Sequence, residues 1–481
     1  MPLDLVQDLV LHLEARYPLI FLLSQEEERA LAAVREAAER TGRTVVTPRG
    51  EGKDTPLSDL FRLAAEEGTV LVLDDVHRRL EDPSMVRVLG DLALAADRKG
   101  RTTVVLAPWV DLPPELEREA AVLELPLPGP AELRDVLGRV SAEVGVLQTD
   151  DDAAALVRVA QGLTLDEAAR AFRKAMIGWP EDAQGAGASV MADKRRALRR
   201  SRVLEHVAVP GSLDEVGGLD QLKGWLVSRA DAFSDRARAY GLPAPRGLLL
   251  MGVQGCGKSL TAKAVAGHWR LPLVRLDVSA VFGAPRPEEA LRVSLRLAEA
   301  MAPVVLWIDE IEKGFEKSGE GAAARVLGGM VTWLQEKRAE VFVVATANRV
   351  ASLPPELPRK GRFDEIFFVD LPNVHERREI FRLHVAKRGR KPEAFDLNAL
   401  AVKSERLTGS EIEQAVIAAL YTSFGRGGEP TNEDLTYAVS ETVPLYEMFE
   451  DEIKALREWA RKRARPASTD RRKIDFFAEE G

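Results

Sequence analysis

Cysteine is nearly missing from this chain: Cys256 is the single one among 481 residues. Neither an intrachain disulfide nor a cysteine-built zinc site can therefore form. Long apolar runs are missing too. None approaches the ~20 residues a helix needs to span a bilayer, so no membrane span is expected. The opening MPLDLVQDLV is acidic and lacks a basic segment followed by a long apolar run. No secretion signal is read there, and a cytoplasmic protein is expected. Excess positive charge is lacking as well: a formal charge of -9 and a pI near 5.5 argue against broad coating of nucleic acid or anionic membrane. Aromatic residues are sparse at 6%, but 46% of the chain is hydrophobic and 30% charged, the balance of a globular protein able to bury sizeable cores. At ~150 residues per domain the length suggests about three folding units.

What is present is a repeated alternation of short apolar runs and helical patterns. Leu19–Leu23, Thr44–Thr47, Thr69–Leu73 and Arg101–Ala107 read as strands between helical stretches, which predicts an α/β fold with a parallel sheet. From Pro130 to Trp179 the pattern is wholly helical. Ala183–Ser189 is rich in small residues and reads as flexible, and the basic run Lys194–Arg202 follows it. That run reads as a solvated helical linker in an acidic protein rather than a nucleic-acid contact. The second half repeats the programme, with strands at Gly247–Met251, Leu273–Asp277, Val304–Ile308 and Val341–Ala345, then helices after Asn373. Leu71-Val-Leu-Asp-Asp75 echoes Leu306-Trp-Ile-Asp-Glu310; Leu112-Pro-Pro-Glu-Leu116 echoes Leu353-Pro-Pro-Glu-Leu357; Gly162-Leu-Thr-Leu-Asp-Glu167 echoes Arg406-Leu-Thr-Gly-Ser-Glu411. The first half reads as a second copy of the same fold. The expected division is 1–182 for that copy (sheet part about 1–128, helical part about 129–182), 183–205 for a basic linker and 206–372 for the second α/β domain. Residues 373–445 form a helical lid and 446–481 a C-terminal helix and tail.

Three stretches carry chemistry. Gly252, Val253, Gln254, Gly255, Cys256, Gly257, Lys258, Ser259 and Leu260 lie between a strand and a helix, the context that makes a glycine-rich phosphate loop. The glycines let backbone N–H groups converge, the helix N-terminus adds partial positive charge, Lys258 can reach the β- and γ-phosphates of ATP, and Ser259 can ligate Mg²⁺. Asp309 and Glu310 end an apolar strand, which suits an Mg²⁺-shell carboxylate and a general base for the attacking water. Asn348 ends the next strand and can orient that water; an Asx turn is its plainer reading. For Arg359 and Arg362, a reach to a neighbouring subunit's γ-phosphate and a solvated loop stand side by side. The first copy has Ser24-Gln-Glu-Glu-Glu28 where a phosphate loop would lie. Acids there repel phosphate, so Asp74 and Asp75 read as relics or strand-end caps.

In this order, the phosphate loop, the Asp-Glu strand, the Asn and the Arg359-to-Asp364 stretch resemble the AAA ATPases. The resemblance covers nearly all of 213–440 and implies a P-loop AAA+ parallel sheet with a helical lid, preceded by a degenerate second copy. It makes Asp214–Leu219, with Gly217, an adenine-side loop. His384 takes the place of a nucleotide-contacting lid histidine, and Thr408-Gly409-Ser410 that of the lid-helix turn. It also implies a nucleotide-dependent homo-oligomeric ring, usually a hexamer, with ATP and Mg²⁺ at subunit interfaces, Arg359 and Arg362 acting in trans, and a protein partner to be remodelled. The segments GVQGCGKSLTAKAVA, LWIDEIEKGFEK, RKGRFDEIFFVDLP and LREWARKRARPAS are similar to an AAA group first noted as a conserved reading frame of chloroplast and cyanobacterial genomes. One departure matters. Where unfolding members carry a pore loop, Ser279–Glu288 is short and holds Pro285 and Pro287, so Phe282 reads as a gripping residue or as packed core. The alternative reading is a nucleotide-governed switch with slow turnover and no threading.

Overall fold

The computed structural model describes residues 4–48, 68–96, 101–146, 149–180, 182–200, 203–208, 212–316, 320–350, 352–354, 356–359 and 361–469. The chain divides into two compact units, Met1–Pro128 and Gly129–Gly481. The division falls where the expected sheet part (about 1–128) meets the expected helical part (about 129–182).

In the first unit, strands β1 (Leu19–Leu23), β2 (Thr44–Val46), β3 (Thr69–Asp74), β4 (Thr102–Ala107) and β5 (Ala120–Glu124) form a parallel sheet in the order β2-β3-β4-β1-β5. The central strands β1 and β4 are buried along their whole length. Continuous apolar runs follow from a parallel sheet covered on both faces. Helices Leu5–Glu14 and Glu27–Arg40 cover one face and Pro83–Ala96 the other, each sealing its own core.

The second unit begins with four helices, Pro130–Val144, Asp150–Ala160, Leu165–Gly178 and Ala183–Arg200, packed about Leu133, Leu137, Phe172 and Val190. The flexible stretch expected at 183–189 is instead the start of the last of these helices, with Ala186 and Val190 wholly buried. Small residues serve close approach here: a Cβ on Gly185 would lie 2.2 Å from Trp179 Cδ1. Lys194, expected in a solvated run, is buried, and burial pushes its ammonium down to about 8.

Strands β6 (Leu204–Val207), β7 (Gly247–Gly252), β8 (Leu273–Leu276), β9 (Val304–Ile308), β10 (Val341–Ala347), β11 (Glu365–Val369) and β12 (Arg465–Pro466) form a seven-stranded sheet ordered β12-β11-β7-β10-β9-β8-β6, antiparallel only at β6. Its middle, β11-β7-β10-β9-β8, repeats the order β5-β1-β4-β3-β2 of the first sheet. The duplication reaches local geometry. Asp75 (φ 57) and Glu310 (φ 48) both follow their strands in the left-handed region. Gly162 (φ 88) and Arg406 (φ 71) both precede a Thr capping box, Thr164 with Glu167 and Thr408 with Glu411. Beyond the sheet, helices Val374–Lys387, Leu397–Lys403, Gly409–Arg426 and Asn432–Glu441 make a lid around Phe381, Ile412 and Val416. Helix Glu450–Arg463 then packs Ile453, Leu456 and Ala460 against the body. Among the described residues, no helix is long and apolar enough to cross a membrane.

Candidate nucleotide site

In the central parallel strands Met251 pairs with Ala347, and Ile308 with Ala345. Their carboxyl ends therefore stop together, and the loops that follow converge where open α/β sheets take ligands. The cavity there, about 460 Å³, is lined by the loop from Gln254 to Leu260, by Gly217, Asp309, Glu310, Thr346 and Asn348, and by lid residues His384, Gly409 and Ser410. That size suits a small-molecule site of ~300–1,000 Å³.

Gly252 ends β7 with no room for a side chain: a Cβ would stand 1.9 Å from Val369 O. The loop then turns through Gly255 (φ 78) and Gly257 (φ 91), and Gly257 starts the helix Lys258–Trp269. Lys258 Nζ donates to Gly252 O at 2.9 Å and Val253 O at 2.7 Å. It is buried, and desolvation lowers its pKa to about 8. A buried ammonium held only by carbonyls among the described residues gains from an anion. Ser259 Oγ donates to Asp309 Oδ1 at 2.9 Å, so a hydroxyl and a carboxylate already meet where a hard cation takes oxygen ligands.

Glu310 is held by Asn348 Nδ2 at 2.9 Å and by the Lys313 ammonium, which that contact pushes up in pKa. The structure thus brings the expected base and the expected orienting amide into direct contact. Three residues that sequence reasoning passed over complete this side. Thr346 Oγ1 donates to Asp309 Oδ1 at 2.7 Å and accepts Glu310 N at 2.9 Å, fixing the acidic pair. Glu312 accepts Asn348 N at 2.8 Å, and its carboxyl is pushed up mainly by burial. Lys313 is the third. The signal was spacing: Glu312 and Lys313 sit just beyond the Asp-Glu pair, and Thr346 lies two residues before Asn348.

At the other end, Val216, Gly217, Leu219, Ile380, Leu383 and His384 shape a largely apolar slot. His384 Nδ1 lies 3.4 Å from Glu413 and 3.3 Å from Arg388 Nη1; burial leads in pushing its pKa down, against the pull of Glu413. Ser410 N and Oγ donate to Gly255 O at 3.0 and 3.2 Å, seating the lid on the phosphate loop. Arg359 and Arg362 do not line this cavity. Arg359 is exposed, whereas Arg362 is buried with Nε and Nη1 lacking hydrogen-bond partners among the described residues. Phe282 ends the short helix Val278–Phe282 and packs against the core, its ring over Gly314, where a Cβ would approach Cε2 to 2.4 Å. In the first unit only Ser24, Gln25 and Glu26 connect β1 to its helix, and Glu26 pairs with Arg29 at 3.1 Å. A loop that short and acidic is not built to cradle phosphate.

Comparisons with known proteins point to one family. The profile of the ATPase family associated with various cellular activities (AAA) matches residues 248–371. The SpoVK-like AAA ATPase N-terminal domain matches 5–125, and the SpoVK-like second domain matches 131–201. The chain is 37% identical over 481 residues to the uncharacterized AAA domain-containing protein ycf46 of Guillardia theta, covering 95% of both chains. It is 36% identical to that of Trieres chinensis, covering 97% of this chain and 99% of the relative. Similarity to the proteasome-activating nucleotidase of Aeropyrum pernix is 34% over 213 residues, 42% of this chain and 52% of that protein.

Proposed function

The chain belongs to the AAA ATPase family, and on that premise we propose that its second unit binds ATP with Mg²⁺ and hydrolyses it. The observation that carries this reading is the buried Lys258 ammonium, which has carbonyls for company beside a Ser259–Asp309 pair. In the proposed site the amides from Gln254 to Ser259 and the Lys258 ammonium hold the phosphates, and the base lies between Gly217 and His384. Ser259 and Asp309 would hold Mg²⁺, which when bound neutralises phosphate charge. Glu310 takes the proton of the attacking water, and Asn348 orients its carboxylate. The proposed division keeps 206–372 as the ATPase body and 373–445 as its lid.

We further propose a homo-oligomeric ring, with Arg359 and Arg362 completing a neighbour's site and hydrolysis remodelling a protein partner. Arg362 is buried with Nε and Nη1 unpartnered among the described residues, which supports a role completed by another chain. The packed ring of Phe282 favours a second reading, a nucleotide-governed switch that threads nothing. Glu310→Gln tests the core proposal. It should bind ATP with Mg²⁺ as the parent does and hydrolyse it slower by a factor on the order of 10²–10⁴; unchanged turnover refutes the assignment. With ATP the same variant separates the readings: a remodelling ring retains a bound protein partner, a switch only copies of itself.

A further inference from the structure

The residues after Pro466 read from the sequence as polar and loosely ordered, yet the segment Arg465-Pro-Ala-Ser-Thr469 is built into the body. Arg465 and Pro466 add strand β12 beside Phe367 and Phe368 of β11. Ala467 is fully buried; its N–H donates to Phe368 O at 2.9 Å, and its carbonyl accepts Leu222 N at 3.1 Å. Thr469 N donates to Asp220 Oδ1 at 3.0 Å. The segment Arg465–Thr469 therefore straps the first turn of helix Asp220–Val227, the helix that follows the base-side loop.

Between them, Ser468 Oγ donates to Glu376 Oε1 at 2.5 Å, and the same oxygen accepts Leu219 N at 3.1 Å. The other carboxylate oxygen accepts Asn373 N at 2.9 Å, at the root of the lid. Glu376 is only 8% exposed, and a Cβ on Gly218 would lie 2.3 Å from its Oε1. A buried carboxylate held by neutral donors needs each of them. Leu219 depends on that grip, because it sits at φ 55, where a side chain is strained. Glu376, Gly217 and Leu219 all line the slot at the base end of the cleft.

We propose that Ser468 is a positioning residue for nucleotide recognition: through Glu376 it fixes the Leu219 backbone and thereby the shape of the purine slot. The inference rests on the reading of this cleft as an adenine-nucleotide site. The segment Arg465–Thr469 is thus part of the site, tying base-side loop, lid root and sheet edge at one carboxylate.

The test uses the full-length protein, a fluorescent ADP analogue with Mg²⁺, and tripolyphosphate as a probe of the phosphate end alone. Ser468→Ala should weaken ADP binding about ten-fold, leave tripolyphosphate binding unchanged, and raise the KM for ATP with little change in kcat. Ser468→Thr, which keeps the hydroxyl, should restore parental affinity. Equal ADP affinity in parent and Ser468→Ala overturns the inference. So does a parallel loss for ADP and tripolyphosphate, which would mark general loosening. A parent that binds tripolyphosphate but shows no preference for ADP overturns the adenine reading and the inference with it.

Discussion

Raising the pH from 7 to 9 should weaken nucleotide binding, and Lys258 sets the size of the effect. Its folded pKa is lowered from 10.5 to about 8 because burial disfavours the charged form. A bound polyphosphate favours the ammonium and raises that pKa again, so binding takes up a proton wherever the free site has lost one. With a free-site value of about 8, the protonated fraction falls from about nine-tenths at pH 7 to about one-tenth at pH 9. Affinity should therefore drop about ten-fold, or ~1.4 kcal/mol, across that interval. At pH 8, about half a proton should be taken up per nucleotide. Calorimetric titration of ADP with Mg²⁺ in two buffers of different ionisation enthalpy measures the uptake directly. Cys256→Ser is the control, since thiols ionise near ~8.5 and a thiolate in the loop would shift affinity in the same direction. A dissociation constant flat between pH 7 and 9, with no proton uptake in the control, refutes the reasoning.

Two further outcomes follow from the geometry. Gly252→Ala should lower the thermal midpoint and destabilise the second unit by at least about 2 kcal/mol, because the added Cβ meets the Val369 carbonyl at 1.9 Å; an unchanged midpoint contradicts that packing. Mixing equal amounts of Arg362→Ala and Lys258→Ala subunits, each inactive alone, should recover about a quarter of the parent ATP turnover if each site needs its neighbour's guanidinium. No recovery argues against action between subunits.

The candidate site was legible because its residue types are unusual in their places. A lysine after three glycines, or two acids at the end of an all-apolar strand, has few structural explanations. The duplication was legible in short echoes, and the two sheets then proved to share one strand order. What stayed hidden depended on tertiary context. The edge strand β6 reads Leu-Glu-His-Val and β12 is two residues long, too little apolar pattern to register. The small residues at 183–189 signal either looseness or tight helix packing, and only Trp179 crossing Gly185 decides it. Glu376 looks like an ordinary capping-box acid, and its grip on Leu219 and Ser468 spans segments distant in sequence. Thr346 is hidden the same way, as one more β-former in a buried strand.

The most direct test is equilibrium binding of a fluorescent adenine nucleotide with magnesium to the parent protein and to Lys258→Ala. The account predicts saturable binding by the parent, competed by ATP, and loss of that binding in the variant while its circular dichroism stays unchanged. A parent protein that retains no adenine nucleotide, or a Lys258→Ala variant that binds it equally well, would contradict the assignment of residues 252–260 as a phosphate cradle.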